Sequence, residues 1–193
     1  MLQDLPDVGD DLMNTDIVVP KGNERELLER AKILGFDTII FLYGSLPKSL
    51  PSSKVIEVRC ALLNPSKIKD KNVMGIAYCP SNVRASAENP AISLIAGIED
   101  TKGDFIHHRG SAMNQVIAQI CASKNKEYVV DFNSLLRSGP KKRSQLWGRI
   151  SQNLVLCKKY GVKIDIMSFA RIPSEMRTKK DLKAVLRIIE KNQ

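Results

Sequence analysis

Asp16-Ile17-Val18-Val19-Pro20, then residues 23–34, then Thr38-Ile39-Ile40-Phe41-Leu42-Tyr43 before Gly44 form the stretch on which the fold turns. The two outer runs are continuous, β-branched and apolar, the pattern of strands buried on both faces. Between them Leu27, Leu28, Ala31 and Leu34 recur at helical spacing on an otherwise charged segment, and Gly35 stands where a left-handed C-cap residue belongs. Strand, helix, strand of this kind is a βαβ unit.

The pattern continues outward. Further apolar runs at 55–63, 73–79, 92–98, 128–132 and 162–168 bring the expected strands to seven, and helical spacing predicts helices over 83–88, 112–123, 140–160 and 179–191. Strands alternating with helices predict an α/β protein with a mostly parallel sheet. Seven such strands fit an open doubly wound sheet or a compact, irregular barrel of the TIM type, and periodicity does not choose between them. A Ser/Pro-rich loop at 45–53 takes the place of a helix between the second and third strands.

At 193 residues, 43% hydrophobic and 26% charged, the chain has the composition of one soluble domain with a sizeable core. It is read as a single domain over 1–193, with 1–13 as a flexible N-terminal segment. No run reaches the roughly 18 apolar residues of a membrane helix, and the N-terminus lacks the features of a secretory signal. A cytoplasmic protein with no membrane partner is expected. Cys60, Cys79, Cys121 and Cys157 show no metal-knuckle or disulfide spacing and are read as reduced core thiols.

The net charge of +9 is unevenly placed. Residues 1–100 carry 11 basic and 14 acidic side chains (−3), and residues 101–193 carry 19 and 7 (+12). A cation-rich half is the footprint expected of a polyanionic partner. Between Lys141 and Lys180 there are 11 basic side chains against Asp165 and Glu175 alone. Arg109, Lys141, Lys142, Arg143, Arg171, Arg177, Lys179 and Lys180 are the candidate phosphate contacts. Aromatic residues, at 5%, are too sparse for base stacking to dominate recognition.

The last predicted helix has Thr178 as N-cap and Asp181 as a capping-box acid, yet Lys179 and Lys180 occupy its first two positions. Cations there oppose the helix dipole, and a bound phosphate would turn that conflict into attraction. Reversing both charges to Glu is therefore expected to stabilise the protein slightly, by about 0.5–1 kcal/mol, while weakening RNA binding.

Catalytic patterns are missing. Neither GxGxxG nor GxxxxGK[ST] occurs, which disfavours nucleotide cofactors. The two histidines, His107 and His108, are adjacent in a polar loop and do not assemble a metal centre or a nucleophilic triad. Asp16, Asp37, Asp131 and Asp165 lie at strand starts or ends and are read as structural or turn carboxylates.

Four segments nevertheless resemble a known family: Asn82-Val83-Arg84-Ala85-Ser86-Ala87-Glu88-Asn89-Pro90 and the strand after it; His108-Arg109-Gly110-Ser111-Ala112-Met113-Asn114-Gln115-Val116; residues 154–162, ending Tyr160-Gly161-Val162; and Ser168-Phe169-Ala170-Arg171 through Met176-Arg177-Thr178-Lys179-Lys180-Asp181-Leu182. In order and spacing they resemble the protein component 3 family of ribonuclease P over about residues 14–190. Gln115, Phe169, Glu175-Met176 and Lys179 depart from the family's usual residues. The resemblance implies a TIM-barrel-like fold, related to the polymerase-and-histidinol-phosphatase metal hydrolases but with their metal ligands lost, and a subunit of the enzyme that removes the 5′ leader of precursor tRNA. It further implies catalysis by an RNA subunit and its Mg²⁺ ions, no catalytic side chain or cofactor in this chain, and protein component 2 as a partner beside the catalytic RNA and precursor tRNA. A metal-dependent phosphoesterase on the same barrel and a purely protein-binding scaffold are the competing readings.

Overall fold

A computed structural model describes residues 14–100 and 110–191. Seven strands, β1 (Thr15–Val18), β2 (Thr38–Tyr43), β3 (Glu57–Leu63), β4 (Val73–Tyr78), β5 (Leu94–Ala96), β6 (Glu127–Asp131) and β7 (Lys163–Met167), lie side by side in sequence order, every neighbouring pair parallel. At the C-terminal ends of the strands β7 returns to β1: Val18 bridges Ala170, and the amide of Val19 donates to the Ala170 carbonyl at 2.8 Å. The sheet is thus a nearly closed barrel, which decides between the two architectures that periodicity left open.

Six helices surround it: α1 (Glu24–Ile33), α2 (Val83–Glu88), α3 (Gln115–Ser123), α4 (Phe132–Arg137), α5 (Pro140–Tyr160) and α6 (Lys179–Lys191). Strands alternate their faces. Ile17, Ile40, Leu42, Ala61, Ile76, Leu94, Val129 and Met167 fill the barrel, with Phe169 above them. Ile39 and Phe41 face outward onto Leu27, Leu28 and Ala31 of α1, as the opening stretch implied. Tyr128 and Val130 pack outward against α3, α5 and α6.

Two sequence expectations are corrected here. Cys79 is exposed on a left-handed backbone (φ 45) at the end of β4, because the strand ends one residue earlier; the other three thiols are buried. Lys179 is the second. It stands at the start of α6 as expected, but its side chain turns inward and is only 7% exposed. Its ammonium donates to Asp165 Oδ2 at 2.7 Å and to the carbonyls of Thr15 at 3.3 Å and Ile166 at 3.4 Å.

The reason lies in the barrel's closure. Along most of their length β1 and β7 are not joined by a hydrogen-bonded ladder, so backbone groups on the facing edges need other partners. Asp16, fully buried, accepts from the amides of Ile17 at 3.0 Å and Ser168 at 2.7 Å and from the Ser168 hydroxyl at 2.5 Å. Lys179 serves the carbonyls. Together with Asp165 these side chains form a polar seam where a seventh strand pair, β7 with β1, would otherwise close the ring.

Candidate nucleic-acid interface

Asp131, the last residue of β6, turns the chain directly into α4 by accepting from the Ser134 amide at 3.1 Å. The far end of α4 is held by Arg143. Its guanidinium donates to the carbonyls of Leu135 at 2.9 Å and Ser138 at 2.8 Å, groups that the short helix leaves unpaired. Arg137, on α4, donates through Nε to Glu175 Oε1 at 2.7 Å, and the other carboxylate oxygen accepts from the Arg171 amide at 2.8 Å. Burial alone would raise the Glu175 carboxyl, but these donors outweigh it and hold it below the usual range. Arg177 then caps the same loop, donating to the carbonyls of Ser174 at 2.7 Å and Met176 at 2.9 Å.

These contacts chain the end of β6, α4, the start of α5 and the loop after β7 into one rim, and they bring Lys141, Lys142, Arg143, Arg171 and Arg177 onto it. Lys141 and Lys180 are exposed; Lys142 is half-buried and ion-paired with the exposed Asp100. Arg109, His107 and His108 lie outside the described residues. A largely buried network joins Glu99, Ser111, Tyr128, Arg149 and Asn153. There Tyr128 donates to Glu99 Oε2 at 3.2 Å, Asn153 to the Tyr128 hydroxyl at 3.1 Å, Ser111 to Asn153 Oδ1 at 2.5 Å, and Arg149 to the Glu99 carbonyl at 3.0 Å.

The dipole conflict expected at α6 occurs at α5 instead. This 21-residue helix starts at Pro140 after Gly139, with no side-chain cap and no acidic residue in its first turn, and Lys141, Lys142 and Arg143 follow at once. Its leading amides and these cations share the first turn of the helix, an arrangement suited to an anion. On α6 the Thr178 cap is present, its hydroxyl accepting from the Asp181 amide at 3.2 Å and donating to Asp181 Oδ2 at 2.7 Å. Sequence reasoning missed α4 and the Arg137–Glu175–Arg171 tie; the Asp131 cap three residues before Ser134 was the signal available for the helix.

The barrel mouth itself is filled. Tyr78 and Phe169 lie with ring centroids 5.2 Å apart, and the Tyr78 hydroxyl donates to Asp131 Oδ2 at 2.6 Å. Asp16, Asp131 and Asp165 are thus structural, as read, and Asp37 accepts from Asn14. Among the described residues no three His, Cys, Asp or Glu side chains are grouped to hold a metal ion, and no helix is long and apolar enough to cross a membrane.

Burial raises the carboxyls of Asp16 and Glu99 to about 7 and that of Asp131 to about 6. The folded protein therefore holds protons that the unfolded chain has already released between pH 5 and 7. Their stabilisation is complete below the ordinary carboxylate range and is lost as pH rises through the folded values. Urea midpoints are expected to fall from pH 5 to pH 8; a midpoint rising over that interval would contradict the burial of these groups.

No family model matches the sequence, and no curated protein matches it. Solved structures do. A chain in the cryo-EM structure of archaeal ribonuclease P with mature tRNA matches with a TM-score of 0.68 and 16% identity, over 90% of this chain and 82% of that one. The crystal structure of an uncharacterized protein gives 0.44 and 10%, over 92% and 68%. A short chain dehydrogenase from Burkholderia cenocepacia with NADP gives 0.28 and 11%, over 92% and 85%. The first of these likenesses establishes a shared fold.

Proposed function

We propose that this protein is a subunit of a ribonuclease P, the ribonucleoprotein that removes the 5′ leader from precursor tRNA, and that it holds RNA through the basic rim on the β6–β7 side of the barrel. The observation that carries this reading is the coincidence of two features. The fold is shared across nine-tenths of the chain with a protein of an archaeal ribonuclease P particle, and exposed cations, Lys141 and Lys180 among them, stand at the rim beside a filled mouth.

The rim does not need base-specific groups. Lys141, Lys142, Arg171, Arg177 and Lys180 offer cations to phosphate oxygens, the leading amides of α5 offer donors, and Arg143 serves both the α4 carbonyls and the rim. Arg109, outside the described residues, is proposed as a further phosphate contact on its charge. Lys179 leaves it, because its ammonium is committed to Asp165 and the barrel seam. Chemistry at the scissile phosphate belongs to the RNA subunit and the Mg²⁺ it binds, and protein component 2 is the partner subunit with which this chain acts.

The test is reconstitution. Adding the protein, with its partner subunit, to the catalytic RNA should raise leader cleavage at limiting Mg²⁺ by at least about tenfold, roughly 1.4 kcal/mol of transition-state stabilisation. Cleavage that is indifferent to the protein would contradict the assignment, as would EDTA-sensitive phosphoester hydrolysis by the protein without RNA.

A further inference from the structure

Two of the barrel's connections lack the helix that all the others carry. The links from β2 to β3 (residues 44–56) and from β3 to β4 (residues 64–72) contain none, so neither lays a helix over the outer face of β3. The strands are also stepped there. The ladder between β3 and β4 begins only at Cys60 and Val73, which leaves the first three residues of β3 paired on one side. A cleft of about 610 Å³ opens at this step, lined by the apolar Leu50, Val58 and Met74 and by the charged Glu57, Arg59, Asp70 and Lys71, of which Glu57 is already paired with Arg59.

The two helix-free connections carry an unusual combination. Val55 is 83% exposed and Leu46 57% exposed. The same two connections hold Lys48, Lys54, Lys67, Lys69 and Lys71 against a single acid, Asp70. All five lysines are exposed, and none forms an ion pair among the described residues. Asp70 accepts from the Asn72 amide at 2.9 Å.

We propose that this helix-free flank docks an acidic amphipathic helix of a partner protein. Such a helix would complete the outer layer where the chain supplies none, set a large apolar side chain into the cleft, and place carboxylates against the lysines. A phosphate backbone would use the lysines and leave the cleft, Val55 and Leu46 without a role. In the strand order of the nearly closed ring, β3 lies across from β6 and β7, so this surface does not overlap the RNA rim, and the inference does not rest on the RNA reading.

The experiment uses the full chain and three synthetic peptides of about 18 residues, long enough to span roughly 27 Å as helices. One is a Leu/Glu amphipathic helix, one has Lys in place of Glu, and one keeps the first peptide's composition in an order without helical periodicity. The acidic amphipathic peptide should bind at least about tenfold tighter than either control and slow amide exchange in residues 57–62 and 71–74. Lys67→Gln, Lys69→Gln and Lys71→Gln together should weaken it by about tenfold, the sum of three exposed charge pairs. Leu46→Asp with Val55→Asp, both at exposed sites that folding does not use, should weaken it comparably. Equal binding of the periodic and aperiodic peptides, or protection elsewhere, overturns the proposal. So does a duplex RNA whose affinity falls with the lysine changes and is indifferent to the Asp changes, which would mark a second RNA surface.

Discussion

Lys179→Glu is expected to remove most of the protein's stability, at a cost of about 3–5 kcal/mol against a typical total of about 5–15. The native side chain is 7% exposed, and its ammonium sits on Asp165 and two strand carbonyls beside Asp16. A glutamate there would leave those carbonyls without a donor and bring another carboxylate up to Asp165 in a poorly solvated seam. Lys180→Glu, one residue later on the exposed side of α6, should shift stability by less than about 0.5 kcal/mol. Urea unfolding of the two variants at pH 7 separates the neighbours; a Lys179→Glu protein as stable as wild type would show that the seam does not hold the barrel. The expectation from sequence that reversing both charges stabilises the protein is thereby replaced by its opposite.

The second large effect concerns affinity. Lys141→Gln, Lys142→Gln, Arg171→Gln and Lys180→Gln in one protein should lower binding to the ribonuclease P RNA by about a hundredfold at roughly 0.15 M salt, taking somewhat under 1 kcal/mol per phosphate contact. Lys141 and Lys180 are exposed, Lys142 is ion-paired with the exposed Asp100, and Arg171 contributes to the Glu175 tie through its backbone amide, which the substitution keeps; its guanidinium also favours the charged form of buried Asp131, so urea unfolding of the variant is measured beside its binding. Arg143 and Arg137 are left in place because they hold the end of α4 and Glu175, and their loss would confuse folding with binding.

All seven strands were legible because buried parallel strands are continuous apolar runs, and β2 matches its expected bounds to the residue. Closure was not legible. An open sheet and a barrel are built from the same strands, and what distinguishes them is a contact between Asp16 and Ser168, 152 residues apart. The inward turn of Lys179 was hidden for a related reason: charge at a helix start says nothing about a seam made by two other strands. Arg171 and Arg177 were found from their cationic neighbourhood, whereas Arg137 was passed over because only the fold brings it to Glu175. Splitting the charge at residue 100 also concealed a local excess. Residues 44–72 hold six basic and two acidic side chains inside a half whose sum is negative.

The central claim is that RNA is held by phosphate contacts along the β6–β7 rim, and a salt titration tests it most directly. Binding of the ribonuclease P RNA is measured from roughly 0.05 to 0.3 M monovalent salt for the wild-type protein and for the fourfold Gln variant. The account predicts a steep log–log line for wild type, with a slope of several units, and a slope shallower by about 3 for the variant, close to 0.7–0.9 per contact removed. Parallel lines for the two proteins, or a wild-type affinity indifferent to salt, would contradict it.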